Sequence, residues 1–98
     1  MKRDITEIVQ DLSTSITRCK TVATKKGVQL LRKDLRNLRN ELADYGVRYQ
    51  KLLDSIDYLV KFLNAAKARK STETTDYLFN KALERLLEFE AGLYNGRS

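Results

Sequence analysis

The sequence predicts an all-α protein, an antiparallel four-helix bundle around a single core. Three observations predict it. The 98 residues contain no proline, so nothing removes a backbone donor from a helix interior. Apolar residues recur at spacings of three and four in four separate segments, the period of an amphipathic helix. The joint between the second and third segments is short, which makes those two helices antiparallel neighbours.

In the first segment Ile5, Ile8, Val9, Leu12 and Ile16 share one stripe, and a helix is expected over about 4–19. Asp4 suits its N-cap, because a carboxylate there accepts from the free amide of Glu7 and favours the positive helix end. Thr21 to Gly27 combines β-branched residues with a glycine and reads as the connection.

The second segment is the most regular. Val28, Leu31, Leu35, Leu38, Leu42 and Tyr45 alternate steps of 3 and 4, a narrow seam that predicts a helix over about 28–45. Gly46 offers a left-handed position to end it. The seam resumes with Tyr49, Leu52 or Leu53, Ile56, Leu59 or Val60, and Leu63, giving a third helix over about 47–67. Lys67 to Thr74 is a polar link in which Ser71, Thr72 or Thr74 suits a cap. A fourth helix over about 74–92 then carries Phe79, Ala82, Leu83, Leu86, Phe89 and Leu93 inward. Glu84, Glu88 and Glu90 fall on or near its outer face. One domain over 1–98 follows, long enough to bury roughly 65% of its unfolded surface.

Composition narrows the function. At 42% apolar and 33% charged the chain is too hydrophobic for a disordered tail. No apolar run approaches the roughly 20 residues that a spanning helix needs. Residues 1–11 lack the apolar stretch of a secretory signal, so the chain is expected in the cytoplasm. Its lone cysteine, Cys19, fits a reducing compartment. The net charge of +6 lies almost wholly in the first half, where eleven basic residues face six acidic ones over 1–49. Such a half favours anionic partners, either nucleic acid or the inner leaflet of a membrane.

Catalytic chemistry has little to stand on, and no enzyme and no cofactor is expected. Without histidine the usual base near neutral pH is missing, and Cys19 has no imidazole to activate it. It reads as a half-buried small hydrophobe. One cysteine and no histidine do not make a zinc site. Asp54 with Asp57, and Glu84 with Glu88, read as solvated helix faces. Thr24-Lys25-Lys26-Gly27 resembles a phosphate loop in composition alone. Arg32, Arg36 and Arg39 form a basic stripe on the second helix, with Lys25, Lys26 and Lys33 close by and only Asp34 opposing them before Glu41. These six side chains are a candidate surface for docking an anion, against the plainer reading of a solvated face. The eight aromatic residues fall mostly on seam positions, with Tyr58 and Tyr94 the expected exceptions, which argues against a base-stacking platform.

The opening MKRDITEIVQDLSTSI resembles the basic start and first helix of the small cytoplasmic immunity proteins that protect producers of class IIa (pediocin-like) bacteriocins. LLRKDLRNLRNEL is similar to their second helix, LLDSIDYLVKFL to their third, and GLYNGRS to their short variable tail. The resemblance covers nearly the whole chain and rests on aliphatic spacing. It implies a non-enzymatic four-helix bundle that binds, from the cytoplasmic side, the mannose phosphotransferase permease engaged by the bacteriocin. It also implies that discrimination lies in the C-terminal half, which here means the link Lys67 to Thr74, the outer face of the fourth helix and the tail. Lys67, Arg69, Lys70, Tyr94, Asn95 and Arg97 are the partner-binding candidates so implied. A monomer with peripheral contact to anionic membrane is expected.

Two other readings stay open on the residues themselves. The arginine stripe suits a small nucleic-acid-binding regulator of phage or plasmid origin, whose binding falls steeply with salt. The seam from Leu31 to Tyr45 suits a helical adaptor or homodimer.

Overall fold

A computed structural model of the chain describes residues 3–22, 24–45 and 47–95, with the side chains of 47 and 93–95 outside the description. It is an all-α four-helix bundle in which α1 (Ile5–Thr21), α2 (Lys25–Ala43), α3 (Gln50–Lys67) and α4 (Thr72–Asn95) run up, down, up and down. A short 3-10 turn, Val47–Tyr49, leads into α3. Side-chain pairs show the alternation directly. Arg32 meets Asn64 and Arg39 meets Asp57 across α2 and α3. Tyr49 meets Phe89, and Phe62 meets Phe79, across α3 and α4.

The inward stripes close on one core. Ile8, Leu12 and Ile16 of α1 join Leu31, Leu35, Leu38 and Leu42 of α2. Leu52, Ile56, Leu59 and Leu63 of α3 and Phe79, Ala82, Leu86 and Phe89 of α4 complete it. Val28, Tyr45 and Tyr49 sit at its margin. α3 packs on all three other helices and most extensively on α4. Two small residues make that closeness work: Ser55 and Ala82 are both fully buried, and the Ser55 hydroxyl donates to the Ala82 carbonyl at 2.8 Å. The bond satisfies a hydroxyl that would otherwise be costly to bury.

At the start of α1 the Asp4 side chain accepts from the Thr6 amide at 3.2 Å, while its backbone carbonyl takes the Glu7 amide at 3.0 Å. Asp4 is thus the cap, with the partner of its carboxylate one residue earlier than expected. Arg3 binds Asp11 and Glu41 at 2.6 Å each, and Tyr45 donates to the Arg3 carbonyl, which pins the chain start across α1 and α2. Those two carboxylates, Glu41 foremost, raise the Arg3 pKa further above its ordinary value.

Every helix differs from its expected range at one limit or both: α1 (Ile5–Thr21) runs on past 19, α2 (Lys25–Ala43) stands against 28–45, α3 (Gln50–Lys67) starts after the 3-10 turn and not at 47, and α4 (Thr72–Asn95) stands against 74–92. α2 starts at Lys25 because Thr24 caps it, its Oγ1 accepting from the Gly27 amide at 3.0 Å. Gly27 therefore lies inside the first turn and not in the connection. Its use is steric: a Cβ there would stand 2.8 Å from Val22 Cγ2 and 2.9 Å from Thr24 Oγ1. Gly27→Ala, which in an open helix would add about 1 kcal/mol, is expected to lower the melting temperature here. A higher Tm in thermal unfolding would show that Val22 and Thr24 give way freely. At the start of α4, Ser71 Oγ accepts from the Thr74 amide at 3.2 Å and the helix begins at Thr72. The expected left-handed Gly46 lies outside the described residues.

A candidate recognition surface at one end of the bundle

The antiparallel order brings the end of α1, the start of α2, the end of α3 and the start of α4 to one end of the molecule. A groove of about 650 Å3 opens there. Its floor is apolar, made by Val22, Val28, Phe62 and Ala66 with Cys19 and Leu63 behind them. Lys20, Lys25, Arg32 and Lys67 line it as well, and among the described residues no carboxylate does. The Lys20 ammonium stands 4.7 Å from the centre of the Phe79 ring, held at the rim by a cation–π contact. Glu73 and Asp76, on the opening turns of α4, do not line the groove.

By sequence Lys25 and Arg32 belong to one candidate set and Lys67 to another. The fold places all three on one groove, because α2 begins where α3 ends. Lys20 was missed, and the only sequence signal for it was a lysine in the last turn of α1.

Local structure at this end breaks two ordinary preferences. The first turn of α2 holds no acid and two lysines, Lys25 and Lys26, at the positive pole of the helix. Arg69 follows α3 with φ 55°, a left-handed conformation normally given to glycine. The Lys70 amide reaches the Ala65 carbonyl at 2.9 Å and the Arg69 amide reaches Ala66 at 3.1 Å, so the helix end is well satisfied around an unfavourable residue. Arg69→Gly is expected to raise stability by about 1 kcal/mol, several degrees in Tm for a domain of this size. An unchanged or lower Tm in thermal unfolding would contradict that expectation.

The basic stripe on α2 is partly spent on internal contacts. Arg32 donates to Asn64, and Arg39 is ion-paired to Asp57, both on α3. Asp34 faces Arg18 of α1 at 3.8 Å. Lys26, Lys33 and Arg36 are exposed, as is Arg39 in part of its side chain. Lys67, Arg69 and Lys70 are exposed around the α3–α4 link. The Tyr94 and Asn95 side chains and all of Arg97 lie outside the described residues.

The remaining candidate chemistry is accounted for by packing. Cys19 is buried, more fully than the half-buried position expected of it, and burial pushes its pKa up to about 12, which leaves it protonated and inert near neutrality. Asp54 accepts from Gln50 at 3.0 Å. Glu84 pairs with Lys81 at 3.6 Å. Glu88 pairs with Lys51 at 3.2 Å and with Arg85 at 2.9 Å, and Lys51 chiefly holds its carboxyl below the ordinary value. Among the described residues no cluster of His, Cys, Asp and Glu is placed to hold a metal, and no helix is long and apolar enough to cross a membrane. Tyr58 packs partly against the core, and among the described residues the exposed ring is Tyr77, at 55%. Tyr77 precedes Phe79 by two residues, which turns it about 200° away from the buried face of α4.

No family model, no curated protein and no solved structure matches this chain.

Proposed function

We propose that this chain is a recognition protein of the bacteriocin-immunity type, acting by binding and not by turnover. It would meet, from the cytoplasmic side, an anionic membrane and the receptor that a pediocin-like bacteriocin has engaged. One observation supports this above the others: Lys20, Lys25, Arg32 and Lys67 converge on a single apolar groove that no carboxylate lines. A basic, apolar-floored end suits an inner leaflet, where each nearby Lys or Arg contributes about 1 kcal/mol. The exposed link at the same end carries Arg69 and Lys70, side chains free to read a protein partner. Arg69 in a glycine's conformation is the kind of local cost that tends to persist where a side chain is needed for contact.

The other two readings lose support. Arg39 is ion-paired to Asp57 and Arg32 lines the groove, so among the described residues Arg36 is the one arginine of the stripe left on the open face of α2. The seam offered to a second chain is used within this one, since Leu31, Leu35, Leu38 and Leu42 are all buried. The test is survival of a bacteriocin-sensitive strain expressing the chain, challenged with a panel of pediocin-like peptides. Protection against one or a few of them is expected; unaltered killing by all of them would overturn the proposal.

A further inference from the structure

We infer that the groove between the ends of α1, α2 and α3 is a binding site for a single-chain anionic amphiphile, an acyl chain ending in a carboxylate. The inference rests on the reading of this end as the recognition end and names the chemistry of its ligand. Shape and charge both point to it. The floor of Val22, Val28, Phe62 and Ala66 offers apolar contact to a hydrocarbon chain. At about 650 Å3 the groove falls within the roughly 300–1,000 Å3 of small-molecule sites. Four cations line it without a carboxylate, so an anionic head is favoured and a cationic one repelled.

Arg32 adds a second, independent sign. Its Nη2 is taken by Asn64, yet its Nε is buried and has no acceptor among the described residues. A buried guanidinium donor without a partner is costly, and an anionic head in the groove would relieve it once the Arg32 side chain turns toward the groove. Lys20, fixed over Phe79, and Lys67, at the end of α3, stand on the same lining to share the charge. An acidic peptide helix would satisfy the cations too, but a groove confined to the helix ends suits one chain better than a helix some 10 Å across.

The experiment is a titration of the full isotope-labelled chain with monomeric dodecanoate, followed by backbone amide shifts. Saturable shifts confined to 19–32 and 62–67 are expected. Dodecyltrimethylammonium, with the same tail and the opposite head, should bind at least about tenfold more weakly, as should acetate, which has the head without the tail. Ala66→Phe fills the floor and should weaken dodecanoate comparably while leaving Tm within a few degrees. Equal binding of the cationic homologue, non-saturating shifts over the whole bundle, or a preference for an acidic amphipathic peptide would each overturn the inference. Failure here is separable from failure of the proposed function, because protection in the survival assay and charge-driven docking to vesicles do not require an acyl chain in the groove.

Discussion

Leu59→Ala is expected to cost about 2–5 kcal/mol of folding stability. Leu59 is fully buried on α3, which packs against all three other helices. Truncation there opens a cavity that no single neighbouring helix can move to close without leaving another. Against the roughly 5–15 kcal/mol that hold a domain together, the loss is a large fraction of the whole. Leu87→Ala serves as the control, since Leu87 is 54% exposed and its removal should stay within about 0.5 kcal/mol. Urea titrations should show the first variant with a lower midpoint and an unchanged slope. A loss under about 1 kcal/mol at Leu59 would mean that the helices are not packed as described.

The double reversal Lys25→Glu with Lys67→Glu is expected to abolish binding to anionic vesicles while leaving the fold intact. At about 1 kcal/mol for each charge at an anionic leaflet, removing four units of charge amounts to roughly 4 kcal/mol, or about a thousandfold in affinity. The effects on stability nearly offset each other. A glutamate in the first turn of α2 is favoured by the helix dipole, whereas one in the last turn of α3 is not, each by about 0.3–1 kcal/mol. Sedimentation with phosphatidylglycerol vesicles measures the first effect and thermal unfolding the second. Undiminished vesicle binding by a folded variant would remove this end from the recognition surface.

The bundle was legible because its period is carried by bulky aliphatic residues. Leu31, Leu35, Leu38 and Leu42 fall on one face of a helix whatever surrounds them, and all four are buried. Composition alone misleads at Leu30 and Leu87, which adjoin buried leucines and are yet 55% and 54% exposed, each turned about 100° from its neighbour. Ser15 and Ser55 are the opposite case. Both are buried, and both continue the steps of three and four, as in Leu52, Ser55, Ile56, Leu59; their polarity hid them.

The groove was not legible in the same way. Which lysines share it depends on the register between α2 and α3, and that register comes from side-chain packing over the whole interface. Arg32 and Arg39 turn toward α3 because Asn64 and Asp57 lie opposite them in that register. The left-handed Arg69 was hidden for a simpler reason: nothing but glycine or asparagine would have announced it.

Amide shifts of the labelled chain titrated with phosphatidylglycerol bicelles test most directly whether recognition is seated at this end. Changes should concentrate on Lys20 to Val28 and Ala66 to Glu73, with the region around Arg3, Tyr45 and Phe89 unmoved. Changes centred on that opposite end, or spread along the middle of α2 around Arg36, would contradict the assignment.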